Sequence, residues 1–197
     1  MSETFAARFP VLFHATCAEA VPSILRHGLF SAEALCRLFG LAEEERAVLL
    51  RRNRPAWVEL RHAVQGRAWL RRQLMPDRGL APRLAEGVSP EAWRGFINRH
   101  VFLWVARRDA DRLAAADPEV PQCVLRLATA VLIAEGLALA AAPVNGGAID
   151  RRPAGKGPRR GPELYRPIAR LSPCARVREV AIADHIPPAI LARALLP

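Results

Sequence analysis

Lysine is almost missing from this chain. Of its 29 basic residues only Lys156 is a lysine, which leaves 28 arginines against 19 acidic residues and a net charge of +10. Together with abundant alanine and 17 prolines, that bias reads as the codon usage of a GC-rich bacterial genome. The charge therefore does not name nucleic acid as a ligand, although arginine is the better residue for bidentate phosphate contacts and an anionic ligand fits it. Paired metal-ligand spacings are absent too. Cys17, Cys36, Cys123 and Cys174 form no C-x-x-C pair, and the five histidines show no H-x-x-x-H spacing, so neither a metal site nor a disulfide framework is expected. No apolar run reaches the roughly 18 residues that span a bilayer. The longest, residues 131–144, is broken by Glu135, Gly136 and Pro143. The opening residues lack a basic segment followed by an apolar signal core, which predicts a cytoplasmic protein with reduced thiols and no membrane partner. Internal repeats, heptads and a nucleotide-binding P-loop are also lacking.

What is present is enough for one domain over 1–197. Half of the 197 residues are hydrophobic, a chain long enough for one substantial core and short for two. "PVLF" (10–13) reads as a short buried strand ending at His14. Val21, Ile24, Leu25 and Leu29 then keep helical spacing, with Pro22 suited to a first turn and Gly28 to a stop. Ser31 caps a helix through Phe39, and residues 41–52 form another. Residues 67–73 read as a strand, Ser89 and Pro90 open a helix over "EAWRGFI", and "HVFLWVA" (100–106) is a β-branched and aromatic strand. A helix over 109–117 follows. Strands then dominate, at 122–128, 137–144, 164–169 and 177–183, before a last helix at 187–196. Residues 145–163, with five glycines and three prolines, read as a long mobile loop, a kind of segment that is usually functional or disordered. Helices first and a strand-rich second half predict an α+β fold.

Two stretches carry a resemblance. "LFHATCAEAVPSILRHGLFSAEAL" (12–35) resembles the opening of DarT-type ADP-ribosyltransferases, where an aromatic residue, His-x-Thr and a segment like "NLPSILxxGLLS" follow one another. The same opening occurs in the tRNA 2'-phosphotransferases. "VREVAIADHIP" (177–187) resembles the DarT strand that carries a catalytic glutamate, and places Glu179 at that position. "RRQLMP", "EAWRGFINRHVFLW", "VNGGA" and "RGPELY" look closer to an uncharacterised bacterial family thought to be related to these enzymes. The specific matches cover about a quarter of the chain.

The resemblance implies an ADP-ribosyltransferase-like fold, a split mixed sheet flanked by N-terminal helices. It implies NAD as substrate, cleaved at the nicotinamide–ribose bond, with ADP-ribose passed to a nucleic-acid or protein acceptor. An antitoxin-type partner is also part of the implied pattern. Cleavage of this kind passes through a transition state of oxocarbenium character, so it needs positioning and a carboxylate against the ribose more than covalent help. By the resemblance Glu179 and Arg71 are the catalytic pair, and His14 and Thr16 hold NAD. Asn145, in a turn whose amides can receive an anion, and Arg160, at the end of the 145–163 loop, are further cofactor-binding candidates.

Each residue also has an ordinary structural reading. His14 can be a buried histidine satisfied by a backbone carbonyl. Thr16-x-x-Glu19 has the pattern of a capping box. Glu179 can be the solvent-facing member of an alternating strand, whereas pointing inward it needs a function, because an unpaired buried carboxylate is costly. Arg71 and Arg72, adjacent in a strand, face opposite sides, so at most one enters a pocket; the resemblance to an Arg-x-Gln triplet in the uncharacterised relatives, matched by Arg71 and Gln73, selects Arg71, with Arg72 as the alternative. Asn98 reads as a helix C-cap, and His100, Phe102 and Trp104 share one strand face, by default as core. Two other functions stay open: a non-catalytic nucleic-acid-binding module on the same fold, and phosphate transfer from RNA, against which no Arg-x-His-x-His run follows Gly28.

Overall fold

Alternating apolar residues in segments far apart in sequence build one sheet. The structure, a computed structural model, describes residues 2–147 and 157–197. The chain runs α1 (Ser2–Arg8), β1 (Val11–Cys17), α2 (Val21–His27), β2 (Leu29–Phe30), α3 (Ala32–Leu38) and α4 (Glu43–Arg51). A hairpin of β3 (Val58–His62) and β4 (Gly66–Leu70) follows, then α5 (Asp77–Leu80), α6 (Pro90–Asn98), β5 (His100–Trp104) and α7 (Arg107–Ala114). Next come β6 (Gln122–Ala128), α8 (Thr129–Ala134), β7 (Leu139–Ala142), β8 (Arg166–Pro167), β9 (Glu179–Ala183), β10 (His185–Ile186) and α9 (Pro188–Ala194). The main sheet has the order β6-β1-β5-β9-β7-β8; β10 with β2, and β3 with β4, make two small sheets of their own.

The fold is α+β, but the expected mixed sheet is corrected: every strand pairing in the six-stranded sheet is antiparallel. The long-range order arises because β1 lies between β6 and β5 in mid-sheet rather than at an edge. β1 pairs with β6 over its whole length, yet meets β5 at a single register position, Phe13 opposite Trp104. Beyond it the two strands no longer share a ladder.

Side-chain alternation sorts the two faces of the sheet. Leu12, Val101, Leu103, Val180 and Ile182 point to one face and form the larger core with residues of α2 and α9. On the opposite face Ala181 and Ala142 pack with Trp93 and Ile97 of α6 and with Tyr165. Because α6 covers that face, a strand residue there is buried rather than solvated, which decides the position of Glu179. Trp104 of β5 and Ala142 of β7 stand directly opposite it.

Several local expectations hold. Ser31 accepts a hydrogen bond from the Ala34 amide at 3.2 Å, Ser89 does the same for Ala92 at 3.1 Å, and Gly28 ends α2 with φ 101°. An alanine at Gly28 is strained, since its Cβ would lie 2.4 Å from the Ile186 carbonyl oxygen. Other expectations are corrected. β1 continues to Cys17, so Thr16 is a strand residue, and no side chain caps the short 3-10 turn at Ala18–Ala20. The strand expected at 164–169 shrinks to Arg166–Pro167 between two 3-10 turns, because Pro167 has no N–H to extend a ladder. The 145–163 loop lies partly outside the described residues. Among the described residues no helix is long and apolar enough to cross a membrane.

Candidate functional site

Where β1 and β5 part, a cavity of about 240 Å³ opens. His14 and Thr16 of β1, Arg71, Asn145 and Glu179 all line it. They come from four places in the sequence, and 165 residues separate His14 from Glu179.

Glu179 is 1% exposed, at the first position of β9. Its Oε1 accepts the Gly146 amide at 2.6 Å and the Tyr165 hydroxyl, while Oε2 has no partner among the described residues and is not sealed from solvent. Burial pushes the carboxyl up to about 7, against the lowering effect of the Tyr165 and Gly146 bonds and of the Arg178 and Arg160 charges. Tyr165 is 8% exposed, and its hydroxyl is held well above its usual range by burial and by the adjacent carboxylate. Gly146 is required at its place. A Cβ there would meet the Tyr165 hydroxyl oxygen at 2.2 Å and Glu179 Oε1 at 3.2 Å. Its carbonyl is held in turn by Trp93 Nε1–H at 3.3 Å.

His14 is half-buried and reaches across the parting of the strands to the Phe102 carbonyl, with Nδ1 at 2.9 Å. A carbonyl only accepts, so Nδ1 carries the proton. Burial lowers the ring to about 4. The imidazole is therefore neutral near pH 7 and offers Nε2 as an acceptor, which has no partner among the described residues.

The arginine wall is built differently. Arg71 and Arg72 follow the end of β4 at Leu70, so the strand argument that only one of them faces the cavity is corrected: both line it. Both ion-pair with Asp117, which lies just beyond α7 and is itself buried. Arg71 also bonds Gln122 and lies over the Trp57 ring at 4.5 Å, and Trp57 Nε1–H donates to Asp117 at 3.2 Å. Burial lowers Arg71 to about 10, so it stays charged at neutral pH. Two guanidiniums and one carboxylate leave this wall one positive charge in excess.

A set of buried polar side chains fixes that wall to the rest of the fold. Gln73 and Arg54 exchange backbone hydrogen bonds, and Arg54 Nε donates to the Arg71 carbonyl at 2.8 Å. Asn98 Nδ2 donates to the Leu50 carbonyl at 2.7 Å and to Gln73 Oε1 at 3.1 Å, so Asn98 is a tie between α4, α6 and the post-hairpin segment rather than a helix cap. Arg94 ties the Arg51 and Met75 carbonyls in the same way.

Asn145 lines the cavity with its side chain turned back to the Gly147 amide at 3.0 Å. Arg160 does not line it. It is 5% exposed, its backbone pairs with Leu84 and its neighbours, and its charge acts on Glu179 and Tyr165 from the protein side. Arg160 thus lies outside the cavity lining, on chain whose backbone is paired to Arg83 and Ala85. Sequence reasoning missed Tyr165, Asp117 and His100 as site residues. For Tyr165 there was a signal: it is the chain's single tyrosine.

No curated protein matches the chain. A family model does, over residues 10–191, which takes in every residue of the cavity named above. The chain belongs to the DUF7002 family, a family of unknown function.

Proposed function

We propose that the protein is an NAD-dependent ADP-ribosyltransferase of ADP-ribosyltransferase-like fold, related to the DarT enzymes. The observation that carries this reading is the convergence of His14, Thr16, Arg71 and Glu179 on one cavity, from ends of the chain that only a shared ligand brings into one argument. In this reading the nicotinamide–ribose bond breaks with its electron pair leaving on nicotinamide, and an acceptor nucleophile takes the ribosyl carbon. Glu179 Oε2 and His14 Nε2 are unpartnered acceptors suited to ribose hydroxyls, and the carboxylate opposes the positive charge that develops on the sugar. Arg71 and Arg72 supply the positive wall for the pyrophosphate. The acceptor is a nucleic acid or a protein, and the reaction belongs to the cytoplasm, where the four free thiols stay reduced.

Incubation with NAD labelled in the nicotinamide ring tests this directly. Wild-type protein is expected to release nicotinamide. Glu179→Gln should lower release by at least about a hundredfold, in the range that loss of one electrostatic stabiliser produces. Wild-type protein that neither binds nor cleaves NAD removes the reading. A second reading, a nucleic-acid-binding module, draws on two arginine–tryptophan stacks beside the cavity, Arg71 on Trp57 and Arg67 on Trp69, each under 5 Å. It is favoured if single-stranded nucleic acid binds in a steeply salt-dependent way while NAD gives no thermal shift.

A further inference from the structure

The cavity has a second histidine with the same wiring as His14. His100, the first residue of β5, bonds the Phe96 carbonyl through Nδ1 at 2.8 Å. Its Nδ1 is therefore also protonated, and burial lowers the ring's affinity for a second proton. Its Nε2 has no partner among the described residues and is not sealed from solvent. Two neutral imidazoles thus present lone pairs to one space, each ring locked in orientation by a backbone carbonyl.

The two ends of the cavity differ in chemistry. β5 runs from His100 to Trp104 along its floor. Leu113 and the arginines tied to Asp117 close the Trp104 end. At the His100 end the Ser31 amide donates to the Asp184 carbonyl at 2.7 Å and the Asp184 amide to the Arg99 carbonyl at 2.9 Å. Those bonds hold β2 and the start of α3 to the residue before β5; Phe102 lies beside the His100 ring, and Phe30, Leu35 and Ile97 add apolar lining to the cavity. A further charged lining residue, Arg54, spends its guanidinium on the Leu49 and Arg71 carbonyls. An anion finds lone pairs at that end, and a hydroxyl-rich group finds apolar walls. A flat ring bearing an N–H finds both a fitting slot and an acceptor.

We propose that the His100 end of the cavity is a subsite for a planar, uncharged ring carrying an amide or amino N–H, which donates to His100 Nε2. This goes beyond the cleavage reading and does not depend on turnover.

Calorimetric titration of the wild-type chain and of His100→Phe with two matched pairs tests it: nicotinamide against 3-acetylpyridine, and adenosine against purine riboside, which lacks the amino group. In one pair the wild type should prefer the N–H ligand by about fivefold to tenfold, the worth of one neutral hydrogen bond. His100→Phe should bind both members alike, near the wild-type affinity for the ligand without the donor. The pair that shows the preference identifies whether an amide or an amino ring occupies the subsite. In the wild type, the Nε2 nitrogen resonance of His100 should also move with the preferred ligand and stay with its analogue, a readout that needs no variant to fold. Equal affinities within both pairs, no binding in either, a preference that survives His100→Phe, or an unmoved His100 resonance would overturn the proposal. Failure of NAD cleavage with this preference intact would count against the enzyme reading alone.

Discussion

Glu179 and Arg71 face one cavity but are held there by opposite means. Glu179 belongs to a strand between two paired neighbours, and its Oε1 is fixed by a backbone amide and a buried hydroxyl. Arg71 hangs on a segment beyond a hairpin outside the main sheet, and its place depends on one aspartate, a glutamine and a tryptophan ring. The carboxylate is preorganised by the backbone, which suits a group that must meet a developing charge without rearranging. The arginine is positioned by side chains, which suits a group that grips a ligand and lets it go.

The most damaging change to the rigid side is Gly146→Ala. The added methyl would stand 2.2 Å from the Tyr165 hydroxyl oxygen, and Tyr165 is packed against Trp93, Phe96 and Phe102 with no solvent to swing into. Overpacking of this kind costs about 1–3 kcal/mol, measurable by urea unfolding. Displacing the glutamate should lower nicotinamide release by roughly a hundredfold, the effect of a misplacement near 1 Å. Unchanged release would show that the cradle around Oε1 does not matter and that Glu179 is no more preorganised than Arg71.

The same contrast explains what was legible beforehand. His14, Thr16 and Glu179 sit in strands whose apolar neighbours mark them, and the structure brings all three to the cavity. Local signals such as Ser31, Ser89 and Gly28 were equally readable, because caps and left-handed turns depend on a few adjacent residues. Arg71 was misjudged as a strand residue, since the strand stops at Leu70 where Arg54 and Gln73 take over the pairing, a contact across 19 residues. No local pattern gives the roles of Asp117 and Tyr165 for the same reason: they are set by partners 46 and 14 residues away, and only the rarity of tyrosine marks Tyr165. The parting of β1 from β5, which makes the cavity, depends on strand order, and no local pattern encodes that.

Proton linkage sharpens the comparison within the rigid side. Glu179 titrates at about 7 in the fold against an ordinary 4.5, so its contribution is full below 4.5 and is lost as pH rises through 7. His14 titrates at about 4 against an ordinary 6.5, so its contribution is full above 6.5 and is lost as pH falls through 4. Each is on the order of 3 kcal/mol, with opposite slope. Between about 4.5 and 6.5 the two nearly cancel, because folding moves a proton off His14 and onto Glu179. Urea unfolding of the wild type should therefore show across that window only the residual rise with pH that the burial-lowered His100 ring leaves. Glu179→Gln should leave the histidine slope exposed, with stability falling as pH is lowered from 6.5 toward 4. A Gln variant no steeper than the wild type would mean that Glu179 is not held protonated by burial as described.

The smallest effect is expected on the adaptable side, from Arg71→Lys. Lysine keeps the charge but loses the planar fork that lets Arg71 bond Asp117 and Gln122 while lying over Trp57. Arg72 remains paired to Asp117, so the wall should keep its charge and the fold should lose little. In the proposed reaction the arginines hold the anionic part of NAD in ground state and transition state alike. Loss of such uniform binding raises KM and spares kcat. Steady-state kinetics should show KM for NAD rising roughly tenfold, the scale of one charge-assisted contact, with kcat changed by less than about twofold. The opposite result, a fall in kcat at constant KM, would place Arg71 beside Glu179 in the chemistry. The two walls of the cavity would then differ in how they are held but not in what they do.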